Sequence, residues 1–194
     1  MVHCVVMRGG TSKGVIFRVN DLPQDLELRE KIILAILGSP DPTQIDGLGG
    51  SASVTSKTAI ITPSENGDTD VDYIFGQVST REALIDWRGN CGNLSSAVGP
   101  FAIDQGLVKA VEPYTTVRIF NTNTKKILIA KVPVKGSKVI TEGDYQIPGV
   151  PGKGAKITLE FVEPGGSVTG KILPTGNPRD IIKLDDGREF ILMD

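Results

Sequence analysis

The sequence predicts an α+β fold in which β-strands dominate. Apolar runs rich in Val, Ile and Phe recur along the chain and are separated by residues typical of turns. Only two segments space their apolar residues as a helix does. The 194 residues include 23 Gly and 12 Pro without a repeat, which indicates many turns between short elements. A chain of this length is expected to form one domain.

Two strands and a helix are predicted near the N-terminus. Val2–Met7 and Val15–Val19 are the predicted strands, and the Gly-rich segment Gly9–Gly14 is predicted to be the loop that joins them. The helix is predicted over Leu26–Leu37, where apolar residues recur at helical spacing and Gly38 supplies a stop.

The middle of the chain is predicted to place an ordered loop before two strands and a second helix. The Gly- and Ser-rich segment Asp41–Ser56 is the loop, and Thr58–Thr62 and Val71–Val78 are the strands. After Cys91, apolar residues fall on one side of a helix that is expected to end near Gly106. Because much of this helix is apolar, strands are expected to wrap around it.

From Thr115 onward the chain is predicted to be almost all strand. Apolar and polar residues alternate over 157–161, as in a half-buried strand. Asp180–Met193 is predicted to be a hairpin, because an Asp-Gly turn signal lies between two apolar runs.

The composition argues against several functional classes. The chain has 21 Lys and Arg against 23 Asp and Glu, a net charge of −2 without a basic cluster, so nucleic acid is not expected as the main partner. No run of about 18 apolar residues exists, and no membrane span is predicted. The N-terminus shows no secretory signal, and a cytoplasmic location is therefore expected.

The sparse His and Cys content limits the chemistry available. His3 is the single histidine, Cys4 and Cys91 are the two cysteines, and no C-x-x-C pair exists. A zinc ribbon, a thioredoxin-like site and a multi-His metal site are therefore not expected, and no metal is predicted. Catalysis would have to be built from Lys, Cys, Ser, Thr, carboxylates and backbone amides.

The Gly9–Gly14 segment is compatible with an anion site or with a plain turn. It is not a phosphate-binding loop, because Val15 rather than Lys follows the second glycine and a strand rather than a helix comes next. Glycines expose backbone amides, and Arg8 and Lys13 would suit carboxylates. The residue types alone support an anion site and a solvated turn equally.

Lys57 and Cys91 each allow a structural and a functional interpretation. A lysine that begins an apolar run is more often a solvated edge charge, whereas one that its apolar neighbours desolvate could act as a base. Cys91 precedes a predicted helix, whose N-terminus would stabilise a thiolate, although a buried inert thiol is the commoner case. Its small and polar neighbours Asn90, Gly92 and Asn93 favour an approachable thiol.

Five segments of the chain carry specific motifs. They are MRGGTSKG (Met7–Gly14), GSPDPTQIDGLGG (Gly38–Gly50), TSKTA (Thr55–Ala59), GNCGNLSSAVGPFAI (Gly89–Ile103) and LPTGN (Leu173–Asn177). In this order, they resemble the family of 2-methylaconitate cis–trans isomerases and 4-oxalomesaconate tautomerases. The resemblance implies a diaminopimelate-epimerase-like fold, with two β-rich domains that each surround a central helix and an active site between them. It also implies a cofactor-independent allylic proton shift on a small unsaturated tricarboxylate such as 2-methylaconitate.

The resemblance also implies roles for individual residues. Lys57 matches the proposed catalytic lysine, and Cys91 matches the catalytic cysteine that opens the central helix. Substrate contacts are implied for Arg8, Gly9, Gly10, Thr11, Ser12, Lys13, Ser53, Ser56, Gly92, Asn93 and Leu94.

The length departs from the family, whose members are about twice as long. Residues 1–180 are therefore expected to form the N-terminal epimerase-like domain, and 181–194 a hairpin at the start of the crossover to a second domain. A homodimer would be ordinary for the family. Two alternatives stay open on the sequence alone: a non-catalytic carboxylate-binding or accessory module, and an inactive half-enzyme fragment.

Overall fold

The structure is a computed structural model that describes residues 1–163, 165 and 170–193. The strands are β1 (Val5–Gly9), β2 (Ser12–Arg18), β3 (Lys57–Pro63), β4 (Val71–Val78), β5 (Ile85–Asp86), β6 (Tyr114–Asn121), β7 (Lys126–Lys135), β8 (Lys138–Val139), β9 (Thr158–Phe161), β10 (Arg179–Lys183) and β11 (Glu189–Met193). The helices are α1 (Leu26–Leu37) and α2 (Gly92–Asp104), and a 3₁₀ turn covers Val19–Asp21.

A curved sheet built from β1 to β9 surrounds α2. Its strand order is β1-β2-β3-β4-β6-β7-β8, with β5 added beside β4 and β9 beside β7. The β2–β3 and β4–β6 pairs are parallel, and the other pairs are antiparallel. Helix α2 contacts β1 and β2 near one end of this order and β6, β7 and β8 at the other. The sheet therefore wraps around the helix, and the predicted β-rich α+β class is confirmed.

Alternate side chains of the central strands supply two apolar layers. Ile16 and Ala59 face the layer that contains α2, whereas Phe17 and Ile60 face the layer that contains α1. Because strand side chains alternate between faces, the nearly continuous apolar runs of β2 and β3 fill both layers at once. Strand β3 therefore lies inside the sheet, and its first residue, Lys57, is close to the layer that contains α2.

Both predicted helices form, and local signals account for their ends. Helix α1 has the predicted bounds, because the Asp25 side chain accepts from the Leu28 N–H at 2.7 Å and Gly38 adopts φ +76° after the last turn. Helix α2 begins at Gly92, before the first predicted apolar position, and Gly106 follows its end with φ +70°. Nine of its residues are buried, as expected of a helix enclosed by strands.

The predicted Gly9–Gly14 loop is wrong in extent. Arg8 pairs with Lys13 and Gly9 with Ser12, so most of the segment belongs to β1 and β2. Only Gly10 and Thr11 form the turn, and Gly10 has φ +53° there. The strands extend so far because they lie against α2, a contact that local sequence does not display. The first strand also begins at Val5 rather than at the predicted Val2.

The C-terminal part is less regular than predicted. Between β8 and β9, an isolated bridge joins Tyr145 to Gly154, and the described residues contain no strand there. The prediction of nearly continuous strand after Thr115 is therefore wrong for 140–157, where glycines and two prolines interrupt any ladder. The final hairpin is confirmed as β10 and β11, which pair around the Asp-Gly turn. Asp194 lies outside the described residues, as do Pro164 and 166–169 of the predicted first domain.

Candidate active site

Cys91 caps the N-terminus of α2. Its Sγ accepts from the Leu94 N–H at 3.4 Å and lies 3.8 Å from Oγ of Ser12. The thiol is half-buried, while Ser12 is only 3 % exposed. The helix start therefore carries a polarisable sulfur that is tied to the β2 end of the hairpin. Since the Leu94 amide already serves this cap, the substrate contact implied for Leu94 stays a prediction.

The next two amides of α2 are open to a cavity. Gly92 and Asn93 are exposed, and in the part of the chain that the structure describes their N–H groups meet no protein acceptor. They border a cavity of about 500 Å³ that Arg8, Gly10 and Tyr145 also line. Unpaired amides at a helix N-terminus attract anions, so this end of the cavity suits a carboxylate.

The β1–β2 hairpin lies directly on the first turn of α2. A methyl group at Gly9 would come within 2.6 Å of the Asn93 carbonyl oxygen, so only glycine fits this approach. The Asn93 side chain in turn accepts from the Thr11 N–H at 3.3 Å. The hairpin tip and the helix start therefore form one structural unit.

Two cationic side chains flank the hairpin. Arg8 and Lys13 are cross-strand neighbours, and neither forms an ion pair within the described residues. Arg8 donates to the Gly10 carbonyl at 2.9 Å, and Lys13 Nζ lies 3.5 Å from the Gly49 carbonyl. Both also line a second cavity of about 320 Å³, together with Thr11, Ser12 and Thr55. Two positive charges that form no ion pair among the described residues and line one cavity would suit a carboxylate, and the anion site stays a prediction.

Lys57 is a buried lysine, and the solvated-edge interpretation is wrong. The residue begins β3, which lies between β2 and β4, and it is 7 % exposed. Its Nζ donates to Oε1 of Gln77 at 2.5 Å and lies 5.3 Å from the centre of the Phe75 ring. No carboxylate of the described residues pairs with it. Among the described residues, no opposite charge therefore lies beside Nζ to stabilise a protonated lysine there.

Gly14 brings Lys57 and the start of α2 together. A methyl group at Gly14 would lie 3.0 Å from the Leu94 side chain and 3.2 Å from the Lys57 carbonyl oxygen. Phe75, whose ring lies near the Lys57 Nζ, belongs to the same apolar cluster as Leu94, and Cys91 packs against that cluster. The predicted lysine and thiol therefore belong to one region, although neither lines either cavity.

The two predicted serines of the Gly/Ser loop differ in exposure. Ser53 is exposed, and its carbonyl accepts from Nε2 of Gln77. Ser56 is fully buried, and its Oγ accepts from Nε2 of Gln44 at 2.8 Å. Substrate contact by either serine stays a prediction.

Three polar residues hold parts of this region in place, and the sequence alone does not predict these roles. Gln77 holds Lys57, Gln44 anchors the Gly/Ser loop, and Asn90 accepts from the Cys91 N–H at 2.8 Å. The available signal for Gln77 was a polar side chain inside the apolar run VDYIFGQV. Beneath the helix start, burial raises the pKa of Tyr73, which keeps this phenol near Cys91 protonated.

The described residues contain neither a metal-ligand cluster nor a membrane-spanning helix. No three His, Cys, Asp or Glu side chains come together there as metal ligands would. Neither described helix has the length and apolar character that crossing a bilayer requires.

Comparison with known proteins identifies the family. The family model described as PrpF protein matches residues 1–191. The chain belongs to the PrpF protein family. This finding confirms the resemblance carried by the five motifs.

Curated relatives of the chain are named as isomerases or tautomerases. The chain spans about half the length of these relatives. The 3-methylitaconate isomerase of Eubacterium barkeri is 55 % identical over 186 residues, covering 96 % of this chain and 49 % of the relative. The 4-oxalomesaconate tautomerase of Pseudomonas putida is 46 % identical, and the match covers 99 % of this chain and 55 % of the relative. The 2-methyl-aconitate isomerase of Shewanella oneidensis is 44 % identical, and the match covers 94 % of this chain and 49 % of the relative.

A solved structure of a relative has the same fold. The crystal structure of a methylitaconate-delta-isomerase superposes with a TM-score of 0.87 at 53 % identity. The match covers 99 % of this chain and 49 % of that protein. The β-rich architecture around α2 is therefore shared with this isomerase.

Proposed function

We propose that this chain supplies the N-terminal half of a cofactor-independent isomerase that moves an allylic proton on a small unsaturated tricarboxylate. The observation that carries the proposal is the burial of Lys57, without a carboxylate partner in the described residues, beside the open N-terminus of α2. The names of the relatives support an isomerase, and their greater length supports a second domain that completes the site.

In the proposed reaction, Lys57 is the base. Its neutral amine takes a proton from the carbon next to the substrate double bond, and the C–H electron pair delocalises into the conjugated carboxylate. The former double bond becomes single-bond-like and rotates. Return of a proton then gives the geometric isomer or, at the far carbon, the tautomer. A positioned base of this kind contributes a rate factor of roughly 10² to 10⁴.

Carboxylate binding would hold the substrate in this position. The amides of Gly92 and Asn93 would take one carboxylate, because they point from a helix N-terminus into the larger cavity. Arg8 and Lys13 would take others, since they lack carboxylate partners among the described residues. Such preorganised donors would also stabilise the charge that builds up on the dienolate.

Cys91 is proposed as the acid that returns a proton on the opposite face from Lys57. Its position at the cap of α2 and its contact with Ser12 support a polar, partly accessible thiol. A cytoplasmic location and a homodimer stay predictions, and a place in propionate breakdown is part of the same proposal.

An activity panel tests the proposed function. The substrates are 2-methylaconitate, 4-oxalomesaconate and 3-methylitaconate, each offered to this chain and to a two-domain version. In the two-domain version, the chain is followed by the second half of the E. barkeri relative. We expect turnover of at least one acid by the two-domain version and much slower turnover by the chain alone. A folded two-domain version that converts none of the three would contradict the proposal and favour a non-catalytic carboxylate-binding module.

A further inference from the structure

We propose that Gln77 is a positioning residue that orients Lys57 for proton transfer, an inference that rests on the proposed function. Lys57 and Gln77 are directly paired residues of β3 and β4, so their side chains lie on the same face of the sheet. The Lys57 Nζ donates to Gln77 Oε1 at 2.5 Å, and no other hydrogen-bond acceptor for Nζ occurs within the described residues.

The surroundings fix the orientation of the Gln77 amide. Its Nε2 donates to the carbonyl of Ser56 at 2.8 Å and to the carbonyl of Ser53 at 3.1 Å. Backbone carbonyls only accept hydrogen bonds, so the NH₂ end of the amide must face the loop. The Oε1 end must therefore face Lys57, and a flipped amide would lose all three hydrogen bonds.

This arrangement suits a lysine that has to lose and regain a proton. A neutral amine donates one N–H to Oε1, and the remaining tetrahedral positions leave its lone pair free to point elsewhere. The amide oxygen carries no net charge, so it orients the amine without the strong stabilisation of the ammonium form that a carboxylate would bring. A carboxylate at position 77 would keep Lys57 protonated and would block its use as a base.

Gln77 also ties the lysine to the Gly/Ser loop. Ser53 and Ser56 belong to that loop, and buried Gln44 holds the same loop through Ser56 Oγ and the Ser51 N–H. The position of Lys57 therefore depends on the position of this loop.

A charged residue at position 77 tests whether Gln77 orients Lys57 for proton transfer or only supports the fold. In the two-domain version, Gln77→Glu keeps the length of the side chain and adds a negative charge beside Nζ, and it also removes the two hydrogen bonds that Nε2 donates to Ser53 and Ser56. We expect a kcat at pH 7 lower by at least about 10-fold, with recovery as the pH rises and a midpoint of the pH–rate profile shifted upward by about one pH unit or more. KM should change by less than about threefold, because the carboxylate-binding groups are untouched.

Two further variants guard against misinterpretation. Gln77→Met removes the hydrogen bonds without adding charge, and it should lower kcat without the upward shift of the profile. Gln24→Glu makes the same charge change on the exposed residue before α1 and should leave kcat and the profile unchanged. Thermal unfolding of each variant verifies that the domain is folded.

The outcomes distinguish this inference from the proposed function. If Lys57→Met abolishes turnover while folded Gln77→Glu keeps the wild-type profile, Gln77 does not position the lysine. If Lys57→Met retains turnover, the assignment of Lys57 as base is wrong. An upward shift in Gln77→Glu alone, with loss of turnover in Lys57→Met, supports both.

Discussion

A methyl group built on Gly9 would lie 2.8 Å from Cα of Leu94, so the end of β1 and the first turn of α2 touch through their backbones. This contact sets the height of the hairpin against the helix start. It thereby fixes how Cys91, the N-terminal amides of α2 and the side chains of Arg8 and Lys13 lie relative to one another.

Gly9→Ala should disturb this contact. The two atoms closest to the added methyl group are the carbonyl oxygen of Asn93 and Cα of Leu94. Both belong to the backbone of α2, so neither can move without shifting the helix start. We expect a loss of about 1–3 kcal/mol in the free energy of unfolding and a clear loss of kcat in the two-domain version. Urea unfolding and the activity panel measure both. Gly89→Ala is the matched control, because no atom lies within 4 Å of a methyl group there. Equal effects of the two substitutions would contradict the close approach.

Acid should weaken the pairing of β4 with β6 through Asp70. Burial by itself raises the pKa of Asp70, but hydrogen bonds from the Arg118 side chain and N–H outweigh it and leave the pKa below its usual range. A lowered carboxyl pKa in the folded state adds stability above the unfolded pKa of about 3.9, and that stability is lost as the pH falls through the folded value. Asp70→Asn should therefore destabilise the chain at pH 7 and flatten the acid limb of its stability profile. Chemical unfolding from pH 7 to pH 2 tests this, and an unchanged acid limb would contradict it.

Cys91→Ser should separate the chemistry of the thiol from its capping role. Serine is a good N-cap residue, so stability should change little. If Cys91 is the acid, kcat in the two-domain version should fall by at least about 100-fold. Cys4→Ser serves as the control, since Cys4 packs in the α1 layer away from the α2 start. Retention of most activity by Cys91→Ser would make the thiol a bystander.

The parts of the structure that the sequence predicted are those with agreeing local signals. For α1, an Asp N-cap, apolar residues at helical spacing and a left-handed Gly38 all indicate the same bounds. The burial of Lys57 was not predictable in this way, because it depends on β2 and β4 lying on either side of β3. Gln77 gave only a weak signal as a polar residue in an apolar strand. Its role requires the register that places it opposite Lys57.

The residues of the candidate site were predicted better than their arrangement in space. Motif resemblance drew attention to Lys57, Cys91 and the hairpin, and the structure brings these together around the start of α2. The hairpin turn itself shrinks to Gly10 and Thr11, since contact with the helix extends both strands. Substrate contacts remain predictions.

Proton exchange with solvent tests the central claim most directly. The two-domain version is incubated with 2-methylaconitate in deuterated water, and deuterium at the allylic carbon is followed by NMR. We expect incorporation with the wild-type sequence and at least about a 100-fold slower rate with Lys57→Met, which keeps the volume of the side-chain stem but removes the amine. Exposed Lys135→Ala should exchange at the wild-type rate. Exchange by a folded Lys57→Met variant within about threefold of wild type would contradict the assignment of Lys57 as the base.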